Sequence, residues 1–170
     1  MVWKKPKTCF PAAKSMNKPG FEASRSEARI FNFLFSVDSQ FTPPLSEKIN
    51  VPDYARKLAV MAENIFLVMG GYDVGHAAYY SNDLQTQTAY LTSICVKKEF
   101  RGSRMAESLL EKVLLGATND GMLKLTLEVD SRNSVAVRFY RKHSFVDCGN
   151  NQMMRDLNRI NGSVDQAIST

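Results

Sequence analysis

Between residues 88 and 130 the apolar residues change period twice. "TAYLTSICV" at 88–96 is a short β-rich run. Ala106, Leu109, Leu110, Val113, Leu114 and Ala117 then recur at helical spacing, which predicts an amphipathic helix over about 103–118. "NDG" closes it, and "MLKLTLEVD" alternates, with Leu123, Leu125, Leu127 and Val129 on one face and Lys124, Thr126, Glu128 and Asp130 on the other. A short helix follows from Asn133 to about Lys142, and "SFVDC" starts another strand. A helix joining two strands implies a crossover with a local parallel pairing. Upstream, "NIFLVMG" and "VGHAAYYS" precede the run at 88, and the three together suggest an antiparallel meander. The expected class is α/β (or α+β), with a mixed, mostly antiparallel central sheet flanked by helices.

The first half reads less sharply. Residues 1–20 hold three of the six prolines and five lysines, and are expected to form a weakly ordered arm. "EASRSEARIFNFLFSV" predicts a helix over Glu22–Val37, and a second helix is expected over Val51–Glu63, with Pro52 in its first turn. "FTPPLSEK" between them is expected to be a loop. The domain is placed at 21–160, with 161–170 as a tail. The apolar runs are too short to span a bilayer, and the basic N-terminus lacks the apolar core of a signal peptide. Cys9, Cys95 and Cys148 are odd in number and widely spaced, which argues against a disulfide framework. A cytoplasmic protein, monomer or homodimer, is expected.

A net charge of +5 favours an anionic partner without specifying it. No Walker loop, Rossmann glycine spacing or serine nucleophile elbow is present. His76 and His143 do not stand at metal-ligand spacing, so no metal is expected, and both read as structural or solvated. "FRGSRMAESLL" is different. Arg101, Gly102 and Arg104 stand where a helix begins, and a helix N-terminus presents unpaired N–H groups and a partial positive charge. That is a plausible seat for a phosphate, although a solvated basic loop has the same composition. Lys97 and Lys98 read as solvated.

"YLTSICVKKEFRGSRMAESLLEKV" followed by "LEVDSRNSVAVRFYRKHSF" resembles the Gcn5-related N-acetyltransferase (GNAT) family, most closely over 90–145. The resemblance implies the acyl-CoA N-acyltransferase fold and acetyl-CoA as co-substrate. In that family a loop of pattern Arg/Gln-x-x-Gly-x-Gly/Ala holds the pyrophosphate, which corresponds here to Arg101, Gly102, Ser103, Arg104, Met105 and Ala106. Arg101 and Ala106 match, while arginine replaces the middle glycine at 104. Arg104 could compensate as a phosphate ligand, because a guanidinium binds phosphate bidentately. The pantetheine arm would pair with the backbone of Ile94, Cys95 and Val96, in a slot that the family makes from a bulge and a splay between parallel strands. Asn133, Ala136, Tyr140 and Phe145 match the family's second segment, with Ser144 in place of its glycine.

Asn133, Ala136 and Tyr140 share one helix face, at i, i+3 and i+7. The resemblance makes Tyr140 the acid that protonates the departing thiolate; its other reading is a core aromatic. Asn133 is either a contact for the arm or acceptor, or an ordinary N-cap. Glu128 is the candidate base, with a solvated or ion-paired carboxylate as its other reading. Asp83 in "YYSND" is a candidate for acceptor binding, or simply turn chemistry. Cys95 reads as a small buried residue rather than a nucleophile.

The implied function is transfer of an acetyl group to a primary amine of a small molecule, directly within a ternary complex. "PPLSEKINVPDYARKLA" and "AAYYSND" resemble family members found in bacterial polysaccharide pathways, and that resemblance implies an amino sugar or sugar nucleotide as one acceptor to consider. Two other classes stay open: a catalytically silent acyl-CoA-binding or sensor domain, and a basic nucleic-acid-binding module. Against the last, no motif interleaves aromatic and basic residues.

Overall fold

A computed structural model of the chain describes residues 18–41 and 43–158. The expected arm, up to residue 17, and the expected tail at 161–170 lie outside the described residues.

The chain enters as a short edge strand, β1 (Gly20–Ala23), not as the start of a helix. Helix α1 (Glu27–Val37) begins only after Ser26, whose hydroxyl accepts the Arg29 N–H at 3.3 Å. Glu22 was expected in the helix; it lies instead opposite Phe66 of the neighbouring strand. "FTPPLSEK" contains one helical turn, α2 (Leu45–Lys48), which begins directly after the two prolines. Helix α3 (Val51–Met61) is capped by Asn50, whose side chain accepts from the Asp53 N–H, with Pro52 in the first turn. It stops two residues short of the expected Glu63, which opens the next strand.

β2 (Glu63–Met69), β3 (Tyr72–Tyr80) and β4 (Thr88–Val96) form the antiparallel meander. Then come α4 (Met105–Asn119), β5 (Lys124–Glu128), α5 (Ser134–Lys142) and the hairpin β6 (Val146–Gly149)–β7 (Gln152–Asp156). The seven strands lie in the order β1-β2-β3-β4-β5-β7-β6. The parallel neighbours are β4 and β5, bridged by α4. The crossover through α5 does not yield a second parallel pair, because β7 inserts between β5 and β6 and pairs antiparallel with both.

Helices pack on both faces of the sheet. Leu109, Leu110, Val113 and Leu114 of α4 pack on Leu67, Ala77, Leu91, Leu125 and Leu127, and α5 adds Tyr140. On the other face Ile30, Phe33 and Leu34 of α1 and Ala55 and Leu58 of α3 meet Phe66, Ala78 and Cys95. The second cluster reaches no further across the sheet than β4, so the outer half of this face is left uncovered by helices.

Candidate active site

β4 and β5 pair only from Thr88–Leu91 against Lys124–Leu127; beyond that they part. At the same place β4 carries an extra residue: Leu91 lies opposite Tyr79 and Ser93 opposite Ala78, which leaves Thr92 as a bulge. The bulge shifts the side-chain alternation by one, so Leu91, Ile94 and Val96 all belong to the α4 face. Lys97 N–H bonds to the Val74 carbonyl at 2.9 Å. Peptide groups alternate in direction along a strand, so Cys95 also pairs with β3, whereas Ile94 and Val96 turn their peptides to the open edge. The slot expected from the family resemblance therefore has two outward peptides. The backbone of Cys95 is committed to β3, and its thiol is buried, which pushes its pKa up.

Beyond the strand the chain turns into α4. Arg101 folds back: its Nε donates to the Val96 carbonyl at 3.1 Å and its Nη2 to Gln40 Oε1 at 2.8 Å. Its guanidinium thus fastens the loop rather than facing the helix start. Ser103 Oγ donates to the Phe100 carbonyl at 2.8 Å. Gly102 (φ +86) and Arg104 (φ +59) are both left-handed, and no side chain caps the helix. The first bond of α4 runs from Ser108 N–H to the Arg104 carbonyl. The N–H groups of residues 102–107 have no acceptor among the described residues. Six free amides at the positive end of a 15-residue helix make an anion seat. Met105 and Ala106 anchor it by packing on the core. Arg104 extends into solvent, its Nε 3.9 Å from Glu107 Oε2. Glu107 is held by Lys142 Nζ at 2.6 Å, which lowers its pKa. Lys97 is not solvated as expected; it is half-buried with Nζ 5.6 Å from the Phe33 ring centre, and burial lowers its pKa.

A cleft of about 1210 Å³ runs through the gap between the strands. Ile94, Glu128, Asn133, Ala136 and Tyr140 line it. Tyr140 is 8% exposed, and burial pushes its pKa up to about 12, so it remains protonated at neutral pH. It sits in the last turn of α5, where Phe145 N–H bonds to its carbonyl at 3.1 Å and the Phe145 ring packs at 5.5 Å. Ser144 N–H bonds to the Arg141 carbonyl, which completes a Schellman turn with Ser144 at φ +65. Asn133 is an N-cap: its Oδ1 accepts the Ala136 N–H at 3.1 Å. Glu128 has no ion-pair partner among the described residues.

Asp83 does not line the cleft. Its carboxylate accepts from Thr86 N–H at 3.1 Å and Thr86 Oγ1 at 2.6 Å, which is turn chemistry. His76 is wholly buried between β2 and α1, its Nε2 3.1 Å from Asn64 Oδ1. His143 caps the C-terminus of α5. No group of three or more possible metal ligands occurs among the described residues. Sequence reasoning did not find Tyr54, Tyr90, Phe41 and Ile49, which also line the cleft. Tyr90 reaches it through the β4–β5 register and Tyr54 through the docking of α3, neither of which leaves a local pattern.

The family model described as "Acetyltransferase (GNAT) domain" matches residues 45–161. No curated protein matches the sequence. Among solved structures, an N-acetyltransferase of Staphylococcus aureus Mu50 superposes with a TM-score of 0.67 at 15% identity, covering 83% of this chain and 99% of that one. The paia N-acetyltransferase of Thermoplasma acidophilum, solved with coenzyme A, gives 0.60 at 16% identity, covering 81% and 99%. A GNAT acetyltransferase of Elizabethkingia anophelis with acetyl-CoA bound gives 0.54 at 16% identity, covering 61% and 82%.

Proposed function

The chain belongs to the GNAT acetyltransferase family, and from that premise we propose that it moves an acetyl group from acetyl-CoA to a primary amine of a small molecule, directly within a ternary complex. One observation carries the reading. The run of unpaired amides at 102–107 and the unpaired edge of β4 at Ile94 and Val96 adjoin one another. A pyrophosphate and an amide-bearing arm need those two features side by side. The Val96 carbonyl already accepts from Arg101, so this residue offers its N–H, while Ile94 offers both groups.

Acetyl-CoA supplies the activated acyl group: the amine nitrogen forms a bond to the thioester carbonyl and the C–S bond breaks. Tyr140, protonated and part of the cleft wall, gives its proton to the departing sulfur. Glu128, uncommitted to any cation, takes the proton the ammonium must lose, directly or through water. The amides of 102–107 hold the pyrophosphate, with Arg104 as a further ligand from solvent. Asn133 and Ala136 form the wall behind the arm. The cytoplasm is the compartment that suits this co-substrate.

Acetyl-CoA at a hundredfold excess over its Kd should stabilise the fold by about 2.7 kcal/mol, a rise in Tm of several degrees for a chain of this size. Primary amines should then release free CoA thiol. An unchanged Tm at millimolar acetyl-CoA overturns the assignment. A raised Tm with no thiol released by any amine leaves a silent acyl-CoA binder instead.

A further inference from the structure

At the border between the helix-covered and the open part of the sheet, on the α1 and α3 side, stands a group of tyrosines. Tyr80 and Tyr90, opposite one another on β3 and β4, stack with centroids 6.5 Å apart and planes 14° apart. Tyr54 of α3 reaches towards them, its hydroxyl 2.9 Å from Thr92 Oγ1 at the bulge. The Glu128 carboxylate on β5 is close enough to Tyr90 to bear on its hydroxyl electrostatically. One cation already uses this cluster: Lys57 Nζ lies 5.8 Å from the Tyr80 ring centre.

We infer that Tyr54, Tyr90 and Glu128 form the amine-binding pocket of the cleft, with Tyr80 stacked behind Tyr90, and that the acceptor is a primary amine on an apolar alkyl or aryl-alkyl body rather than on a sugar. This rests on the acetyltransferase reading above and names its second substrate.

Two features select the body. The outer wall is built from Phe41, Pro43, Leu45 and Ile49, which offer contact but no hydrogen bonds. Several polar side chains of the lining are spent, while Lys48 and Ser93 have no hydrogen-bond or ion-pair partner among the described residues. Thr92 binds Tyr54, Asn133 caps α5, and Gln40 accepts from Arg101. Asp130 and Arg132 hold each other bidentately, with Nη2 to Oδ2 at 2.6 Å. A sugar would lose water from several hydroxyls and find few partners, a penalty that counts against binding. An ammonium needs only aromatic faces and one carboxylate, and both are present.

The test uses the full chain with acetyl-CoA and compares 2-phenylethylamine, hexylamine, glucosamine and spermidine by thiol release. The two apolar monoamines should exceed glucosamine in kcat/KM by roughly a hundredfold. Tyr90→Leu should raise KM for 2-phenylethylamine roughly tenfold, while Tyr90→Phe, which keeps the ring, stays within a few-fold of the parent. In both variants the rise in Tm caused by acetyl-CoA should be unchanged, which also reports that they fold. Preference for glucosamine or spermidine, an unchanged KM in Tyr90→Leu, or no turnover of any of the four despite an intact acetyl-CoA shift each overturn this inference and leave acetyl-CoA binding standing. Loss of the acetyl-CoA shift in the parent overturns the acetyltransferase reading with it.

Discussion

At the scale of single residues, two of the non-glycine residues in left-handed backbone stand at helix ends, where glycine would fit without strain. Arg104 at φ +59 opens α4, and Ser144 at φ +65 closes α5. They should respond differently to replacement. Ser144→Gly should raise stability by about 1 kcal/mol in denaturant unfolding and leave acetyl-CoA affinity alone. Arg104→Gly should raise stability by a similar amount; on the proposal that Arg104 holds a phosphate, it should also weaken acetyl-CoA by about 1 to 3 kcal/mol. If Arg104→Gly binds acetyl-CoA more tightly than the parent by calorimetry, the arginine is no ligand. Tyr140 makes its own demand. Tyr140→Phe keeps the ring that packs on Phe145 and removes only the hydroxyl. With Tyr140 as the proposed acid, turnover should fall roughly a hundredfold to ten-thousandfold with acetyl-CoA affinity nearly constant, because such a proton is given up in the transition state. A parental rate with chemistry limiting would make Tyr140 a packing residue.

At the scale of elements, the seating of α4 on the sheet depends on one missing side chain. A Cβ on Gly116 would lie 2.3 Å from the Tyr79 hydroxyl. Tyr79 is buried, and its hydroxyl donates to Asp120 Oδ2 at 3.2 Å just past the end of the helix. The ring cannot turn aside within a packed core, so the helix must move. Gly116→Ala should therefore cost about 1 to 3 kcal/mol. In a Tyr79→Phe background, which removes the obstructing oxygen, the same change should cost clearly less. Equal costs in the two backgrounds would show that the contact does not limit how closely α4 packs. Because the anion seat is the N-terminus of this helix, displacement of α4 should also appear as weaker acetyl-CoA binding.

At the scale of the whole molecule, the α1/α3 side of the core encloses a titratable group. Asn64 Nδ2 donates to the carbonyls of Leu58 and Ala62, which leaves Oδ1 to accept from His76 Nε2. His76 is then neutral, with Nδ1 buried and without a partner among the described residues, and burial lowers its pKa to about 4. The unfolded chain, near 6.5, binds this proton first as pH falls. The native state is therefore at full advantage above pH 6.5 and loses it between 6.5 and 4, by about 3 kcal/mol in all. Urea midpoints measured from pH 7 to pH 4.5 should fall in the parent and fall less steeply in His76→Leu. Equal slopes would mean that the histidine is not the group responsible.

Much of this architecture was legible beforehand. The helix α4 and the strand β5 follow from hydrophobic period, because burial on one face imposes 2 on a strand and 3.6 on a helix whatever lies opposite. The meander follows from three β-rich runs and the turn segments between them. The face shared by Asn133, Ala136 and Tyr140 follows from helix geometry in the same way, and all three line the cleft. Errors fell where long-range pairing outweighs local pattern. Glu22 joined an edge strand because β2 offered it a partner, and β7 entered between β5 and β6 because a hairpin brought it there. Asp83 and Thr86 satisfied each other in a turn instead of reaching the cleft. Local spacing determined which segments are helix or strand and which side chains share a face. Tertiary structure alone decided that β4 bulges at Thr92 and parts from β5, and that Tyr54, Tyr90 and Glu128, from three separate elements, line one opening. Such a constellation depends on strand register and helix docking, which are set by contacts between residues far apart in the chain and leave no period for a local reading to detect.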